Sequence, residues 1–527
     1  MAETIYIFML VGLIPFFSWQ QREEGRNLVS SLITGIFLIF WLVTNTLPIV
    51  WDKTSIAVFC FAIFVIASIF WTNSRQSSKD IYTMLCCLVI FLVARKLELN
   101  VLLPILFIPG LAFAILSLYY RIIPNKSALS PKYKWPIFGN SNHVGSFLLI
   151  PLFIGLWLSF NVSWLIFPLV LVIGVAIALN ECRGSHIAAV AGLLFIICSY
   201  NIWWLLAVPA LLVIAFFLLR KNVTSLRHRA ILLLTAILLI KKAPLFGHGM
   251  RTYRREYANI IPELLNNKLY KSLFVNDSPE HWTSHRLHND FLEIIFELGI
   301  IGFVLFVMIF TSLSWDLSWD LSWDNIFFTG AILAVAVHCL FFFPLRECHT
   351  AFPFFALAGY MAGFSGTPIN VNPFIAIVIS LIIARILYGI FVKLVGLLYY
   401  HYSSKIGVLP NVEDENGKKL LELKQAYLNK AIQCDPYNNI YLTGGYYYNV
   451  FYNPEIAFQF ASRCFENYDG GKVKWGVADQ YARALLRLGG FGVAKMAAKY
   501  ALSICPTFEQ TQKLMEQINN LENGRPA

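Results

Sequence analysis

Two neighbouring apolar stretches decide the fold of this chain: VGSFLLIPLFIGLWLSF at residues 144–160 and SWLIFPLVLVIGVAIALN at residues 163–180. Neither contains a charged residue, and each falls within the range of about 17–25 residues that a helix needs to cross a bilayer. A short polar segment at 181–186 follows, and a further apolar stretch begins directly after it. This pattern predicts membrane-spanning helices joined by short polar turns.

The composition of the whole chain agrees with this prediction. Its 527 residues are 58% hydrophobic and 13% charged, whereas soluble proteins are about 45–50% apolar and about 25% charged. A soluble enzyme, a disordered protein and a disulfide scaffold are therefore excluded. The net charge of +11 favours anionic partners such as lipid head groups, phosphates or acidic glycans. The ten cysteines include no C-x-x-C pair and indicate neither a disulfide framework nor a zinc site.

We predict an all-α polytopic membrane protein with about thirteen spans, because the apolar stretches have helical length and lack the alternation of a β-barrel strand. The first stretch lacks a basic flank and a cleavage site, so it is a retained helix rather than a cleaved signal. The clear spans are 28–51, 55–71, 100–120, 144–160, 163–180, 202–219, 291–311, 325–343 and 372–400. The shorter ones are 4–18, 80–94, 186–199 and 351–366.

The topology depends on the segment 221–243, whose eleven-residue run AILLLTAILLI at 230–240, apolar except for Thr235, is flanked by basic residues. Stretches of about 10–14 apolar residues are more often interfacial or buried than spanning, so this segment is predicted to be amphipathic or re-entrant. Residues 221–290 then form one large extramembrane loop. This loop, the 121–143 loop and the 181–186 junction fall on the same side. The Lys and Arg residues of the short loops do not orient the chain strongly.

The chain changes to a soluble composition at residue 402, and we predict two domains, 1–401 and 402–527. The segments that end at Pro436 and Pro506 resemble the second helix of a tetratricopeptide repeat. These prolines are 506 − 436 = 70 positions apart, about twice a 34-residue repeat. We expect a tetratricopeptide-like helical domain that either docks a partner or stabilises the membrane part. The triple repeat LSWDLSWDLSWD at 313–324 is interpreted as an insert without a role.

Ionisable residues at the membrane surface are costly and are candidates for function. The 221–290 loop holds five of the ten histidines, and its eleven Lys and Arg against five Asp and Glu give it a charge of +6. Such a surface suits a diphosphate, which the arginine fork matches. On a helix, His281, His285 and His288 would share one face, an arrangement that could bind zinc. However, no cysteine accompanies them and the nearby acids lack a recognised spacing, so a single histidine acting as a base or orienting group is favoured. A plain loop histidine is the alternative.

Three further segments carry polar groups at the ends of spans. Arg183, in the 181–186 junction, is close to the edge of the hydrocarbon layer. It either has a function there or only extends its guanidinium group to the membrane surface. The glycines of the segment PLFGHG, at 244–249, allow the backbone to approach a phosphate or sugar, or form an ordinary turn. Asn142 precedes the 144–160 span and is a possible N-cap.

The order of these segments resembles that of the O-antigen ligase and polymerase superfamily, and within it the bacterial protein O-oligosaccharyltransferases that glycosylate pilins. Those enzymes carry an Asn-His pair before a span, matched by Asn142-His143. They carry Ser-Arg-Gly after a span, matched by 182–184 with cysteine in place of serine. An arginine followed by Pro-x-x-Gly-x-Gly matches Arg229 and 244–249, and His-Asn followed by Glu-x-Gly matches 288–289 and 297–299. The motifs cover roughly 135–305.

This resemblance implies a helical membrane bundle in the bacterial inner membrane, with its active site and both extramembrane regions facing the periplasm. The donor would be an oligosaccharide on undecaprenyl diphosphate, and the acceptor a Ser or Thr hydroxyl of a pilin-like or other periplasmic protein. Membrane lipid is the other expected partner, and no nucleic acid, cofactor or metal is expected. The implied catalytic residues are His288 as base or orienting group and Arg183 and Arg229 as stabilisers of the leaving diphosphate. The implied substrate-binding residues are Asn142, His143, Gly247, Gly249, Tyr253, Asn289 and Glu297.

Three alternatives remain open at the level of sequence. An O-antigen ligase, with a lipid A core acceptor, and an O-antigen polymerase share the donor chemistry and differ only in the acceptor. A transporter of lipid-linked glycan predicts ionisable residues along the spans and repeated groups of spans. The span centres are nearly free of charge. His338 is the main exception, and we interpret it as a packed or hydrogen-bonded histidine.

Overall fold

The computed structural model describes the fold over most of the chain. The described residues are 1–16, 22–44, 49–50, 52–72, 77–122, 140–200, 223–266, 286–316, 323–363, 368–369, 371–406, 415–436, 441–442, 445–446, 454–466, 474–504 and 509–523. The predicted span 202–219, most of the 121–143 loop, and His281 and His285 lie outside them.

The membrane part is built from helices, as predicted. They are α1 (Ala2–Ile7), α2 (Arg22–Thr44), α3 (Lys53–Ala67), α4 (Ser77–Ala94), α5 (Leu99–Ile122), α6 (Ser141–Asn161), α7 (Phe167–Ala178), α8 (Arg183–Tyr200), α9 (Val223–Lys242), α10 (Tyr253–Asn266), α11 (Asp290–Asp316), α12 (Trp323–Cys339), α13 (Cys348–Ala362) and α14 (Pro373–Lys405). A π-helical segment (Phe8–Leu13) and a 3₁₀ turn (Ile14–Phe16) continue α1, and further 3₁₀ turns lie at Ser68–Phe70, Trp164–Ile166 and Pro344–Arg346. Two-residue strands β1 (Ile49–Val50) and β2 (Pro368–Ile369) pair antiparallel.

Among the described residues, seven helices are long and apolar enough to cross a membrane: Gly25–Thr44, Lys53–Phe70, Leu99–Arg121, Ser141–Asn161, Arg183–Tyr200, Asp290–Thr311 and Pro373–Lys405. Three shorter apolar helices are Ala2–Phe16, Trp164–Ala178 and Asn325–Cys339. The structure thus confirms a helical membrane protein, whereas the count of about thirteen spans stays a prediction.

Two predicted spans extend too far. The span predicted at 28–51 ends at Thr44 and is followed by β1. The span predicted at 325–343 ends at Cys339, after which residues 340–347 form a turn. Proline lacks a backbone N–H and cannot continue a helix, and Pro344 stands within this turn. Hydropathy alone extended both spans, because the residues past each helix end are still largely apolar.

The helix bundle has two distinct ends. At one end the buried Arg95 forms an ion pair with Asp52 and donates hydrogen bonds to Ser55 and to the Gly363 carbonyl. These contacts tie together the start of α3, the end of α4 and the end of α13. At the opposite end of α4, Asp80 pairs with Arg286, which lies just before the start of α11.

The helix α9 covers most of the segment 221–243, which was predicted to be amphipathic or re-entrant, and it buries one face. Ile231, Leu232 and Ala236 pack in a cluster with Tyr253 of α10, while Leu233 is more than a third exposed. Its position relative to the membrane stays a prediction.

The C-terminal part is helical as well. Its helices are α15 (Glu415–Cys434), α16 (Pro454–Glu466), α17 (Lys474–Arg487), α18 (Phe491–Ile504) and α19 (Glu509–Glu522). Ala478 of α17 and Ala501 of α18 belong to the same buried cluster as Tyr253, so these helices lie against the 221–290 region. Helix α14 runs unbroken through the predicted domain boundary at 401/402. The two-domain division and the tetratricopeptide-like repeat stay predictions.

Candidate active site

Four helices begin at the end of the bundle that carries most of the predicted site residues. These are α6, α8, α11 and α13, and contacts between their starts hold them together. The Asn180 side chain donates to the Ser141 carbonyl over 2.8 Å, and the Asn289 side chain donates to the Leu340 carbonyl over 3.4 Å. Helix N-termini carry a partial positive charge, so this end of the bundle is favourable for an anion.

The segment 244–249 is held against a kink in α11. Gly299 interrupts the helix with φ 68° and ψ −173°, and the Ile300 N–H donates to the Pro244 carbonyl over 2.9 Å. The Gly249 N–H donates to the Glu297 carbonyl over 2.8 Å. Gly247 and Gly249 have φ angles of 70° and 92°, and a Cβ at either would clash with the facing chain. These glycines are therefore required for close backbone packing.

Glu297 lies at the centre of a buried ion-pair network. Its carboxylate forms an ion pair with Arg346, with 2.5 Å between Oε2 and Nη1, and accepts from the Arg251 N–H over 2.6 Å. Arg346 also faces Asp290, at 3.6 Å between Nε and Oδ1. Asp290 in turn accepts from the Leu345 N–H over 2.8 Å. Glu297, Arg346 and Asp290 are almost completely buried, so this network holds the 340–347 turn against α11.

A second branch of the network fixes the segment that carries His288. Arg286 pairs with Asp80 at 2.5 Å and with Glu293 at 3.1 Å. Glu293 also accepts from the Leu287 N–H over 2.9 Å. Asn289 then caps α11, since its side chain accepts from the Leu292 N–H over 3.0 Å. His288 is therefore placed between two anchored neighbours.

The conformation of His288 differs from the helical one that its spacing suggested. Its φ is 57°, in the left-handed region that non-glycine residues seldom adopt, and α11 begins only at Asp290. His288 therefore does not lie on a helix, so the helical alignment that was considered for zinc binding does not include it. The prediction that it directly precedes a spanning helix is confirmed by the position of α11.

Arg229 lies close enough to His288 for its charge to act on the imidazole, and Arg183 lies close enough to act on Arg229. The pKa of His288 is lowered to about 4. Burial is the largest cause, and the charges of Arg229 and His228 contribute the rest. Burial also lowers the pKa of Arg229; the nearby Cys182 thiol acts against this and the charge of Arg183 adds to it. Both arginine side chains are half-buried. Arg229 is thus linked electrostatically both to Arg183 and to His288, and the catalytic roles of the three residues stay a prediction.

The Asn142-His143 pair lies at the start of α6. The N-cap of this helix is Asn140 and not Asn142, because the Asn140 side chain accepts from the Asn142 N–H over 2.9 Å. The assignment of Asn142 as N-cap is therefore wrong by two residues, since the helix begins earlier than the apolar run. The His143 ring contacts those of Phe342 and His349, with centroids 5.0 and 5.1 Å apart.

Sequence reasoning missed the turn at 340–347 as part of the site. Phe342 and Phe343 stack with centroids 4.1 Å apart. The same two rings contact His288, at 5.9 and 5.2 Å, and His143, at 5.0 and 5.9 Å. The available signal was the run Arg346-Glu347-Cys348-His349, which places two charges and a histidine directly before an apolar stretch.

Two other histidines and a tyrosine have packing roles. His338 is fully buried, and its ring lies against Gly184 and 5.6 Å from that of Phe342. His248 packs on Phe296 with ring centroids 4.7 Å apart. The Tyr253 hydroxyl lies in the core between α9 and α10, where it hydrogen-bonds with the Thr235 hydroxyl at 3.1 Å.

Residues 167–307 match the family described as O-antigen ligase. The matched segment includes Arg183, Arg229, the glycines of 244–249 and His288, and it excludes Asn142 and His143. It supports the predicted similarity to the O-antigen ligase superfamily and, with it, the coarse class of a multi-pass membrane enzyme that transfers glycans. A comparison with curated proteins finds no match for the chain.

Substitution of Gly299 by alanine should disrupt the kink that holds 244–249. The positive φ strains any residue with a Cβ, and that Cβ would clash with the Leu245 carbonyl; backbone strain of this kind costs about 1–3 kcal/mol before the clash is counted. We expect a lower yield of folded protein and a lower thermal unfolding midpoint in detergent. Gly174→Ala is the matched control, because a Cβ there meets nothing within 4 Å. Equal stability of the two variants would contradict the packing described above.

Proposed function

We propose that this chain transfers an oligosaccharide en bloc from undecaprenyl diphosphate to a Ser or Thr hydroxyl of a pilin-like or other periplasmic protein. The enzyme would lie in the bacterial inner membrane with its site facing the periplasm. The observation that carries the proposal is that Arg229 acts electrostatically on His288 and Arg183 on Arg229, at an end of the bundle where four helices begin. The match to the O-antigen ligase family supports the same donor chemistry.

Arg183 and Arg229 would bind the diphosphate of the donor. Arginine keeps its charge at every physiological pH, and its planar fork matches phosphate oxygens. The charge on the leaving diphosphate increases as its bond to the sugar breaks. Preorganised cations at that position stabilise the transition state more than the bound donor, which is the requirement for faster reaction.

His288 would accept the proton of the attacking hydroxyl. Its lowered pKa keeps the imidazole neutral near pH 7, so it is ready to accept a proton, although as a weak base. An anionic diphosphate bound to Arg229 would offset the charge that lowers the pKa of His288, so donor binding makes the base stronger. The hydroxyl oxygen then bonds to the anomeric carbon, the diphosphate departs with the electron pair of the broken bond, and the configuration inverts.

The other proposed binding residues divide into two groups. Gly247, Gly249, Tyr253 and Glu297 lie in backbone packing, the helix core or the ion-pair network, and we assign them the role of positioning His288 and the 244–249 segment. Asn142, His143 and Asn289 lie at helix starts beside the 340–347 turn, where contact with substrate is possible without rearrangement of the core.

The function is tested by glycan transfer in a host that makes lipid-linked glycan, with the mass of a co-expressed pilin as the readout. Wild-type chain should add a glycan-sized mass. Arg183→Ala should reduce transfer by about 10²–10³-fold, and His288→Ala by about 10²–10⁴-fold, at equal expression. Arg385→Ala, on an exposed face of α14, is the matched control and should transfer normally.

The acceptor is decided by the same experiment. Glycan on lipid A core instead of pilin would make the chain an O-antigen ligase, and longer lipid-linked chains would make it a polymerase. Transfer to pilin that survives both site substitutions would keep the function and reject the site. Movement of lipid-linked glycan across the membrane without a new glycosidic bond would indicate a transporter.

The pH dependence of transfer should depend on Arg229. Because this cation lowers the pKa of His288, Arg229→Gln should raise that pKa from about 4 towards the usual 6.5. Burial persists, so the return is partial. The acidic limb of residual single-turnover transfer should move to higher pH in Arg229→Gln and stay in place in Arg385→Gln. An unmoved limb, or one that moves to lower pH, would show that His288 is not the titrating base.

A further inference from the structure

A second polar cluster borders the same Phe342–Phe343 pair as His288. His143, Glu347 and His349 each place a ring nitrogen or carboxylate oxygen within 4.8 Å of those of the other two. His349 Nδ1 is 4.0 Å from Glu347 Oε2. His349 and Glu347 are 2% and 5% exposed. His143 Nδ1 is buried and makes no hydrogen bond to any residue in the described part of the chain.

We propose that His143, Glu347 and His349 form the binding site for the acceptor hydroxyl, and this proposal rests on the transfer reaction proposed above. Buried polar side chains are normally hydrogen-bonded, and a hydroxyl supplies one donor and accepts through its lone pairs. The Glu347 carboxylate can accept a hydrogen bond from the hydroxyl, and each neutral imidazole can either donate or accept one. The chemical class recognised here is therefore a hydroxylated acceptor group.

Charge separates this cluster from the site of the donor. Arg183 and Arg229 attract the diphosphate, whereas the Glu347 carboxylate repels it. The two histidines His143 and His288 are near enough to interact electrostatically, and both border the Phe342–Phe343 pair. The acceptor would thus be held beside Glu347 and the diphosphate beside Arg183 and Arg229.

Two histidines and a glutamate also have the composition of a zinc site. Arg26 argues against a cation here. It is buried, and it lies close enough for its charge to act on both His143 and His349. A divalent ion would add two positive charges beside this guanidinium, whereas a neutral hydroxyl adds none. The local charge therefore favours the acceptor over a metal.

The test separates acceptor binding from donor binding in the purified full-length chain. Transfer is measured at increasing acceptor concentration, and donor affinity is measured with the lipid-linked glycan alone. Glu347→Gln and His349→Ala should raise the acceptor KM by about tenfold or more, as expected for loss of a hydrogen bond to a charged group. The donor Kd should change by less than about twofold. Glu347→Asp should restore part of the loss, and His401→Ala, at the far end of α14, is the matched histidine control.

Three results would overturn the proposal. An unchanged acceptor KM in both variants would remove the cluster from the acceptor site. An equal loss of donor affinity would assign it to donor binding or to folding, which the thermal unfolding midpoint distinguishes. Transfer abolished by a chelator and restored by zinc would make it a metal site. If the wild-type chain uses a sugar acceptor and no protein, the proposed function fails, and the KM comparison with that acceptor still decides the role of the cluster.

Discussion

The ion pair between Glu297 and Arg346 is the interaction on which the rest of the site depends. Both side chains are almost completely buried, and a charge removed from water is tolerated only with a partner and further hydrogen bonds. Arg346 therefore fixes the 340–347 turn to α11, while Glu297 also holds the Arg251 backbone. Loss of one partner of such a pair typically costs about 3–5 kcal/mol, because the other charge is left uncompensated. The polar interior at this end of the bundle is thus a structural requirement as well as a chemical one.

This network explains how an unusual backbone is maintained beside the proposed reaction centre. His288 has a positive φ and is kept there by Arg286 on one side and by the start of α11 on the other. The same helix is kinked at Gly299, where it accommodates 244–249. Backbone strain of this kind persists only where contacts with the surrounding residues hold the backbone in that conformation. His288, held in this conformation near Arg229 and beside the same aromatic pair as His143, is suited to bring donor and acceptor together in one orientation.

Much of the fold could be predicted from the sequence, because lipid requires long apolar helices and these are visible in the residue pattern. Arg183 and His288 could be chosen because an ionisable group at a membrane edge is costly without a function, whereas Arg229 was chosen only through the resemblance to the O-antigen ligase superfamily. The 340–347 turn was missed because its aromatic residues continue the apolar pattern of α12. The partners of its charged residues are about 50 positions away in the chain, and neither hydropathy nor spacing detects such pairs. The backbone of His288 was mispredicted for the same reason, since distant ion pairs and not helical propensity determine it.

The central claim is that the arginine cluster binds a lipid diphosphate. Its most direct test is the affinity of the purified chain for undecaprenyl diphosphate, measured by native mass spectrometry in detergent. The double variant Arg183→Gln/Arg229→Gln should bind at least about a hundredfold more weakly, since it loses charged hydrogen bonds from two side chains. Arg385→Gln should bind like the wild type. Equal affinity of the wild type and the double variant would contradict the account, because the diphosphate would then be held by other residues.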